Sequence, residues 1–478
     1  MRKIFLLPFT LLPLISLTSC DKKNICNETK IAVFADVQLN NSNTGIVSNS
    51  YSYLRNHLAL CKENNVDVIM ISGDLVNNAY SNYYDLYEEI LQSVYGKDEK
   101  QYPEFVYTMG NHEWYASDER QDEMAVYYYN KHARINTDAL VKRSIHKTDT
   151  RDASYYGNFY KVINGIPFMS ISTENLSGSI SYKLREEIKS WLDEISQLKS
   201  VKNGGPIFVS YHYAFEEVTY SFGQGGTTNS QILYNLLKDY PQVILFSGDT
   251  HFSGVNERTI NQVDFTDINL GSSSYTRHVE RSCLMDKYDT YYNIESSNGS
   301  KDLLTGQVSE RIDETPHIHF VDVKSNGDTY INRYFSTNDS TNPTHIGMEW
   351  KIPVKSNKDN FIYTSDRYGN KDWAYKLYGK EGLEWDDSST LSYNYSNNKL
   401  FVQFPDVTDY NACEHYRIKI YSGEDMVKYD VVSQYINYDS EPHFYNYEID
   451  DVGFDAIDKI EVYAYDFFDN VSTNYLEI

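Results

Sequence analysis

The chain has 478 residues, which is too long for one ordinary domain, so we expect two or three. Hydrophobic residues make up 41% of the sequence, enough to build packed cores, and this excludes a wholly disordered protein. The formal net charge of -25 would repel the backbone of a nucleic acid. We therefore expect no nucleic-acid polymer as a partner.

The N-terminus has the pattern of an export signal. Two basic residues precede an apolar run, Ile4–Leu17, which is too short and too rich in proline for a membrane-spanning helix. The run leads into Leu-Thr-Ser-Cys, ending at Cys20, and this resembles a bacterial lipobox. The resemblance implies a lipoprotein signal peptide over residues 1–19, a lipid on Cys20, and a tether over residues 20–30. The protein would then be exported and anchored on the outer face of a bacterial membrane. A plain secretory signal followed by a chance cysteine is the alternative.

Predicted strands and helices alternate in the next part of the chain. Short apolar runs predict buried strands over Ile31–Ala35, Val66–Ser72, Glu104–Met109, Pro206–Tyr211 and Gln242–Ser247. The spacing of apolar residues predicts helices over Tyr51–Glu63, Tyr84–Val94 and Ser181–Leu198. This alternation indicates an α/β layered core.

Beyond Val263 the pattern changes to short alternating strands. His317–Val323 and Asp328–Tyr334 read as outer strands that finish the first domain. Residues 346–385 are polar, aromatic and irregular, and we interpret them as a connector. Residues 386–478 are strand-like throughout, which predicts a small all-β sandwich, and their end resembles a fibronectin type III domain. We expect this domain to be a spacer or a docking module.

Five short polar segments each follow a predicted strand. They are Asp36-Val37-Gln38, Gly73–Asn77, Gly110–Glu113, His212 and Gly248–His251. In open α/β sheets, functional groups collect at the carboxyl ends of the strands. Aspartate, asparagine, glutamine and histidine are all plausible metal ligands, and glycine permits the tight turns that such loops need. The placement therefore predicts a metal site in one crevice.

The order of these segments, D-x-H/Q, G-D, G-N-H-D/E, H and G-x-x-H, resembles the signature of the calcineurin-like metallophosphoesterases. The resemblance extends over about Ile31–Tyr334, and we place the domain at residues 31–345. It implies an α/β fold, a four-layer β-sandwich core flanked by helices. The all-β immunoglobulin- or fibronectin III-like sandwich would follow this core.

The resemblance also implies seven ligands for two metal ions. They are Asp36, Gln38, Asp74, Asn111, His212, Asp249 and His251. Asp74 would bridge the ions. Asp36, Gln38 and His251 would complete one site, and Asn111, His212 and Asp249 the other. A hydroxide held between the ions would attack phosphorus.

Further roles concern the loops around the ligands. His112 follows a predicted ligand and would act as the general acid on the leaving oxygen, with Asn77 orienting it. Glu113, Trp114 and Tyr213 are candidates to line the substrate pocket, although packing in the wall of the site is the alternative for each. The expected substrate is a small phosphate mono- or diester.

The sequence departs from the family pattern at three positions. Gln38 and Asp249 replace histidine ligands, and Asn77 replaces an aspartate that often orients the catalytic histidine. The ligand set therefore shifts from nitrogen to oxygen, which favours Mn²⁺ or Fe over Zn²⁺, with Mg²⁺ and Ca²⁺ also compatible.

A second function remains open at this point. The departures would also suit a catalytically weakened surface lipoprotein that binds glycan, protein or cell wall through its C-terminal sandwich. Trp385, Tyr393 and Tyr395 would then form a sugar-stacking surface, although aromatic residues in strands more often lie in a core. Both ligand replacements are groups that still bind metal, and His112 is present, which favours the enzyme.

Overall fold

The computed structural model describes most of the chain. The described residues are 24–41, 48–115, 141–143, 157–172, 180–215, 218–219, 228–277, 291–293, 302–304, 312–313, 315–336, 343–354, 357–370, 372, 382–408, 412–433, 444–450 and 452–478. Residues 1–19, Cys20 and Cys283 lie outside them, so the predicted signal peptide and lipid anchor stay predictions. Within the described part of the chain, no helix has the length and apolar character that a membrane crossing needs.

The regular elements follow the predicted alternation. The helices are α1 (Ser50–Glu63), α2 (Ser81–Tyr95), α3 (Tyr182–Ser196), α4 (Lys199–Lys202) and α5 (Thr228–Leu237). The strands of the first half are β1 (Thr29–Phe34), β2 (Val68–Ser72), β3 (Glu104–Thr108), β4 (Val141–Arg143), β5 (Phe159–Ile163), β6 (Ile166–Ile171), β7 (Ile207–Tyr211), β8 (Val243–Ser247), β9 (Ile260–Gln262), β10 (Thr266–Asn269), β11 (Thr276–Arg277), β12 (Tyr291–Asn293), β13 (Asp302–Leu304) and β14 (Ile312–Asp313). Those of the second half are β15 (His317–Val323), β16 (Thr329–Phe335), β17 (Thr344–Ile352), β18 (Ser392–Ser396), β19 (Lys399–Pro405), β20 (Cys413–Ser422), β21 (Asp425–Val432), β22 (Phe444–Asp450), β23 (Lys459–Asp466) and β24 (Leu476–Glu477).

Two mixed sheets form the centre of the first domain. The first has the strand order β17-β16-β15-β1-β2-β3, in which β1, β2 and β3 are parallel. The second has the order β4-β5-β6-β7-β8-β10-β9, in which β6, β7, β8 and β10 are parallel. Each sheet therefore collects the carboxyl ends of its parallel strands along one edge.

The sheets pack face to face between two layers of helices. In β1, Ala32 and Phe34 belong to the core shared with α1 and α2, whereas Ile31 and Val33 belong to the core between the sheets. This alternation follows from the two-residue period of a strand buried on both faces. Helices α3 and α5 cover the other face of the second sheet. The predicted four-layer α/β fold is confirmed, and each fully buried Ile, Val or Phe side chain stabilises it by about 1.5–3 kcal/mol.

The first sheet continues beyond residue 345, where we placed the end of the domain. Strand β17 pairs antiparallel with β16, and Trp350 is fully buried in the core between the sheets. Tyr363 belongs to the same core, and its backbone carbonyl accepts a hydrogen bond from the Gln262 backbone N–H at 2.8 Å. Residues 346–354 and 357–363 therefore pack against the first domain, whereas the sequence analysis interpreted them as part of a connector.

The C-terminal region is all-β and has its own core. One sheet has the order β18-β19-β22, and the other contains β21-β20-β23-β24 with β12 and β13 added at the edge of β21. Strand β19 alternates, with Leu400, Val402 and Phe404 buried between the sheets and Phe401 and Gln403 exposed. This is the pattern expected for a two-sheet sandwich.

The aromatic residues suggested for sugar stacking do not share a surface. Trp385 is 2% exposed, and its indole Nε1 donates to the Pro405 carbonyl at 3.0 Å. Tyr395 is partly buried, and its hydroxyl donates to the Phe454 carbonyl. Only Tyr393, 39% exposed, is accessible. The expectation of a three-residue stacking surface is therefore wrong.

Candidate metal centre

Five loops meet at the common edge of the two sheets. Asp36 follows β1, Asp74 follows β2, Asn111 follows β3, His212 follows β7, and Asp249 follows β8. Oxygen and nitrogen atoms of Asp36, Asp74 and His212 lie within 4.8 Å of one another, and all three residues are buried. Carboxylates held this close in a buried site repel each other strongly unless cations compensate them. The residues therefore fit a metal site.

The remaining predicted ligands fall into two groups beside Asp74. In the first group, His251 Nε2 lies 3.2 Å from Asp36 Oδ1 and 3.4 Å from the amide nitrogen of Gln38. The amide oxygen of Gln38 takes the same place after a half-turn of the amide. This is the grouping that the family resemblance implied for one of the two ions.

In the second group, His212 is the central residue. Its Nε2 lies 2.9 Å from Asn111 Oδ1, 3.4 Å from Asp74 Oδ1 and 3.8 Å from Asp249 Oδ1. Asp74 is thus in reach of both groups, as a bridging ligand must be. The structure brings all seven predicted ligands together, while their binding of metal stays a prediction.

Backbone carbonyls orient the three histidines of the site. The Nδ1 contacts are His112 to Asn77 O at 2.8 Å, His212 to Ser72 O at 2.9 Å and His251 to Tyr275 O at 3.0 Å. A carbonyl only accepts, so each Nδ1 carries a proton, and whenever a ring is neutral the lone pair of its Nε2 points into the site. This is the tautomer that a metal ligand needs.

Several site residues have a backbone conformation that side chains disfavour. Ten described non-glycine residues have positive φ, and five of them are predicted ligands. The five are Asp36, Gln38, Asp74, Asp249 and His251. Such conformations cost of order 1–3 kcal/mol each and cluster at functional sites, where the surrounding structure imposes them.

The glycines of the motifs leave room for the ligands. A Cβ on Gly73 would lie 2.2 Å from His212 Nδ1, and one on Gly110 would lie 2.2 Å from Asp74 Oδ1. A Cβ on Gly248 would lie 2.3 Å from Asp36 Oδ2. Each distance is far inside van der Waals contact, so these positions admit only glycine without moving a ligand.

The comparison with known families agrees with this geometry. The model of the calcineurin-like phosphoesterase family matches residues 29–253, which include every predicted ligand. Residues 29–253 belong to the calcineurin-like phosphoesterase family. The metallophosphoesterases are hydrolases of phosphoric ester bonds, and the chain is such a hydrolase.

The solved structures that are similar to the chain include two phosphatases. One is a dimetal phosphatase from Danio rerio, with 11% identity and a TM-score of 0.35, covering 69% of this chain and 99% of that one. The other is the purple acid phosphatase PPD1 from yellow lupin (Lupinus luteus) seeds, with 11% identity and a TM-score of 0.39, covering 68% of this chain and 54% of that one. No curated protein sequence matches the chain.

Electrostatics in the phosphoesterase site place positive charge where cations would lie. Burial disfavours the charge of Asp74, yet His212 and His112 hold the pKa of Asp74 well below its ordinary value. Burial opposes protonation of His212, but the carboxylates of Asp74, Asp36 and Asp249 raise the pKa of His212 well above its ordinary value. Protons on imidazole thus balance the acidic residues when no cation does, and metal binding would release them.

Asn77 orients His112, but not with its side chain. The side-chain amide of Asn77 donates to Asn78 Oδ1 at 3.3 Å, while the backbone carbonyl of Asn77 accepts the hydrogen bond from His112 Nδ1. The expected side-chain contact is therefore wrong. A carbonyl orients the ring whatever side chain residue 77 carries.

All three predicted pocket residues are buried, and Glu113 and Trp114 have structural positions. Glu113 is fully buried and accepts from the backbone N–H groups of Asp74 at 3.0 Å, Val76 at 3.2 Å and Gly110 at 2.6 Å. Burial, with the charge of Asp74 second, raises the pKa of Glu113 to about 7. Glu113 therefore braces two ligand loops and does not face substrate. Trp114, 2% exposed, lies in the core with α1 and α2.

Tyrosines pack against the histidines of the phosphoesterase site. Tyr213 is 6% exposed, and its ring centroid lies 5.3 Å from that of His212. It therefore packs in the wall of the site. The ring of Tyr275 lies 4.2 Å from that of His251. Tyr115, 36% exposed, contacts His112 at 4.9 Å with its ring perpendicular. Of these rings, Tyr115 is the accessible one beside the expected acid.

The segment after β10 was missed by the sequence analysis. The hydroxyls of Ser272 and Ser274 donate to the Asp36 carbonyl at 3.0 and 2.9 Å, and Tyr275 holds His251 through its carbonyl. Three consecutive serines after Gly271 at the end of a strand were the available signal. Because they support ligands and do not bind metal themselves, no ligand pattern pointed to them.

Replacing Gly73 with alanine tests the steric demand of the site, with Gly96 as a matched control. Both glycines have positive φ, +95° and +87°, but a Cβ on Gly96 meets nothing within 4 Å. Both alanine variants should lose about 1–3 kcal/mol of unfolding free energy from backbone strain. Only Gly73→Ala displaces His212, so only this variant should lower kcat/KM, by about 100-fold or more. Equal activity of the two variants, measured beside urea unfolding, would contradict the assignment.

Proposed function

We propose that the chain hydrolyses small phosphate mono- or diesters with two divalent metal ions. The observation that carries the proposal is the convergence of Asp36, Asp74 and His212 from three strand ends onto one centre, with His112 beside it. Bound there, the ions would activate a water and neutralise charge on the phosphoryl oxygens. The imidazole Nε2 of His112 lies 3.8 Å from Asp74 Oδ2, so the acid and the metal centre are adjacent.

His112 is suited to act as the acid because it alone of the three site histidines reaches solvent. Its side chain is 23% exposed, whereas those of His212 and His251 are 0% and 5% exposed. With Nδ1 held by the Asn77 carbonyl, the proton available for a leaving oxygen is the one on Nε2. The buried histidines lack such access and suit metal binding.

We further propose that the ions are Mn²⁺ or Fe. Five of the seven predicted ligands offer oxygen, namely Asp36, Gln38, Asp74, Asn111 and Asp249. A site rich in oxygen ligands binds hard ions in preference to Zn²⁺, because Zn²⁺ binds readily to histidine nitrogen and cysteine sulfur. Mg²⁺ and Ca²⁺ are further candidates on the same ground.

Hydrolysis of p-nitrophenyl phosphate and bis-p-nitrophenyl phosphate tests the function and the metal together. Protein starting at Asp21 is stripped with a chelator and then given Mn²⁺, Fe²⁺, Zn²⁺, Mg²⁺ or Ca²⁺ in separate reactions. We expect activity to return most fully with Mn²⁺ or Fe²⁺, and the preferred substrate to distinguish monoesterase from diesterase. No turnover with any ion, together with no bound metal in the purified protein, would refute the proposal.

The cell-surface location is proposed from the sequence. Arg2, Lys3 and the apolar run before Cys20 support export and lipidation. Growth with a clickable fatty acid should label the full-length chain and should not label Cys20→Ala. Label that persists in the variant would exclude Cys20 as the anchor.

For the C-terminal domain we propose a fibronectin type III-like sandwich. The support is its pairing of a three-stranded sheet, β18-β19-β22, with the strands β21-β20-β23-β24. Glycan binding by this domain loses one of its arguments, because Trp385 lies in the core. A crystal structure of the full chain would test the proposed topology, and a different strand order would contradict it.

A further inference from the structure

The loop between β8 and β9 carries two predicted ligands, Asp249 and His251, and then runs into a buried ionic network. Its Gly254 carbonyl accepts from Arg333 Nη1 at 2.6 Å, and its Gly254 N–H donates to His317 Nε2 at 3.2 Å. The far part of the loop is thus held by strands of the first sheet, although its ligands face the metal centre.

Glu257 is the buried acid of this network. It is 2% exposed, and its carboxylate accepts from the guanidinium of Arg333 and from the Trp350 indole Nε1, the latter at 2.7 Å. The Arg333 guanidinium also lies 3.9 Å from the centre of the Trp350 ring. A buried carboxylate is stable only while its hydrogen-bond partners stay in place, so the backbone at Glu257 can move little.

The neighbouring residue connects the loop to the C-terminal sandwich. Arg258 Nη2 lies 2.6 Å from Glu414 Oε1, and the two residues are 8% and 3% exposed. Arg258 Nε also donates to Asn256 Oδ1 at 3.0 Å. Glu414 is the second residue of β20, so this buried ion pair joins the ligand-bearing loop to the core sheet of the other domain.

A second contact reinforces the same junction. Arg367 donates to the carbonyls of Glu257 at 3.2 Å and Ile260 at 2.7 Å. Its guanidinium lies 4.2 Å from the centre of the Phe468 ring, and its own carbonyl accepts from Asn470 Nδ2 at 3.3 Å. Phe468 and Asn470 belong to the turn after β23, so the sandwich touches this loop from two elements.

We propose that the C-terminal sandwich is a positioning part of the metal centre, with Glu414 acting through Arg258 on the loop that carries Asp249 and His251. The proposal rests on the proposed function for the identity of the ligands. It differs from the expectation of a spacer or docking module, because a spacer needs no buried ion pair with a ligand loop. The sandwich would set the metal affinity of a site to which it contributes no ligand.

The test compares Glu414→Gln with Asp430→Asn in the full chain from Asp21. Asp430 is a matched control, since it is 2% exposed and its two hydrogen bonds to Arg417, at 2.7 and 2.9 Å, lie inside the same sandwich. Two quantities are measured: amide hydrogen exchange over residues 252–259 in the stripped protein, and the rate at which Mn²⁺ leaves the loaded protein in excess chelator. A third variant, Arg258→Lys, keeps the charge but cannot bond Asn256 and Glu414 together.

We expect Glu414→Gln and Arg258→Lys to raise exchange in the loop and to speed the release of Mn²⁺ at least fivefold, with Asp430→Asn within twofold of wild type. Unchanged Mn²⁺ release in Glu414→Gln would overturn the proposal even if its melting temperature falls. Equal effects of Glu414→Gln and Asp430→Asn would overturn it as well. If Glu414→Gln does not fold, Arg258→Lys decides by the same criteria. A wild-type chain that binds neither Mn²⁺ nor any of the other tested ions would refute the proposed function instead. The exchange measurement distinguishes the two failures because it needs no metal.

Discussion

Replacing Asp74 with asparagine is expected to lower kcat/KM for p-nitrophenyl phosphate by about a thousandfold or more and to remove bound metal. Asp74 Oδ1 accepts the His112 N–H at 2.9 Å, and the Asp74 carboxylate lies within 4.8 Å of ligand atoms of Asp36 and His212. Asparagine has the same shape, so the backbone contacts of the loop survive. It lacks the charge that one residue would share between two cations.

Asp267→Asn is the matched control for this loss. Asp267 is also fully buried in the phosphoesterase domain, but it lies within β10, and burial raises the pKa of Asp267 to about 8. Its carboxyl is therefore largely neutral at pH 7, and an amide preserves that state. We expect wild-type metal content and turnover from this variant. Asp74→Asn with more than a tenth of wild-type activity, at full metal content, would contradict the bridging assignment.

Replacing His112 with alanine is expected to lower kcat by about 10²–10⁴-fold for a poor leaving group such as an alkyl alcohol. The loss should be much smaller for p-nitrophenol, which leaves without protonation. The reason lies in the geometry, since His112 Nε2 is the exposed imidazole nitrogen of the site and Nδ1 is held by the Asn77 carbonyl. Turnover of glycerol phosphate and p-nitrophenyl phosphate should therefore diverge in the variant.

Metal content separates an acid from a ligand in this experiment. His112→Ala should retain wild-type metal by elemental analysis, because His112 is assigned as the acid and is not one of the seven predicted ligands. His345→Ala is the control histidine, since its Nε2 contacts Asn332 Oδ1 at 3.0 Å at the edge of the first sheet, and it should behave as wild type. An equal loss on both substrates, or a loss of metal, would assign His112 a structural or ligand role.

Local sequence patterns were sufficient to predict a site residue wherever its position depends only on the strand that precedes it. The apolar runs before Asp36, Asp74, Asn111, His212 and Asp249 predicted five strands, and parallel strands of one sheet bring their carboxyl ends to one edge. The motif glycines were also predictable in kind, since they permit turns. That their Cβ positions coincide with ligand atoms became clear only from the folded chain.

One missed element did have a local signal. Strands β5 and β6 are joined by Asn164 and Gly165, both with positive φ, which is the two-residue turn that Asn-Gly favours. Polar and basic residues interrupt the apolar pattern of these strands. Lys161, for example, is buried in β5 because it pairs with Glu104 at 2.8 Å, and in the sequence a lysine indicates an exposed position. A pairing with a residue 57 positions away has no trace in the local pattern.

The sequence by itself determined the α/β class, the family, the seven candidate ligands and the expected acid, because each depends on residue type and on position after a strand. Only the tertiary structure decided how these residues are supported. Glu113 supports two ligand loops and does not line a pocket. The backbone carbonyl of Asn77, and not its side chain, orients His112. Strand β17 extends the first sheet. Arg258 forms an ion pair with Glu414, which lies 156 residues away in the sequence. Such contacts arise when distant segments are buried against each other and each polar group must find a partner, which no local pattern encodes.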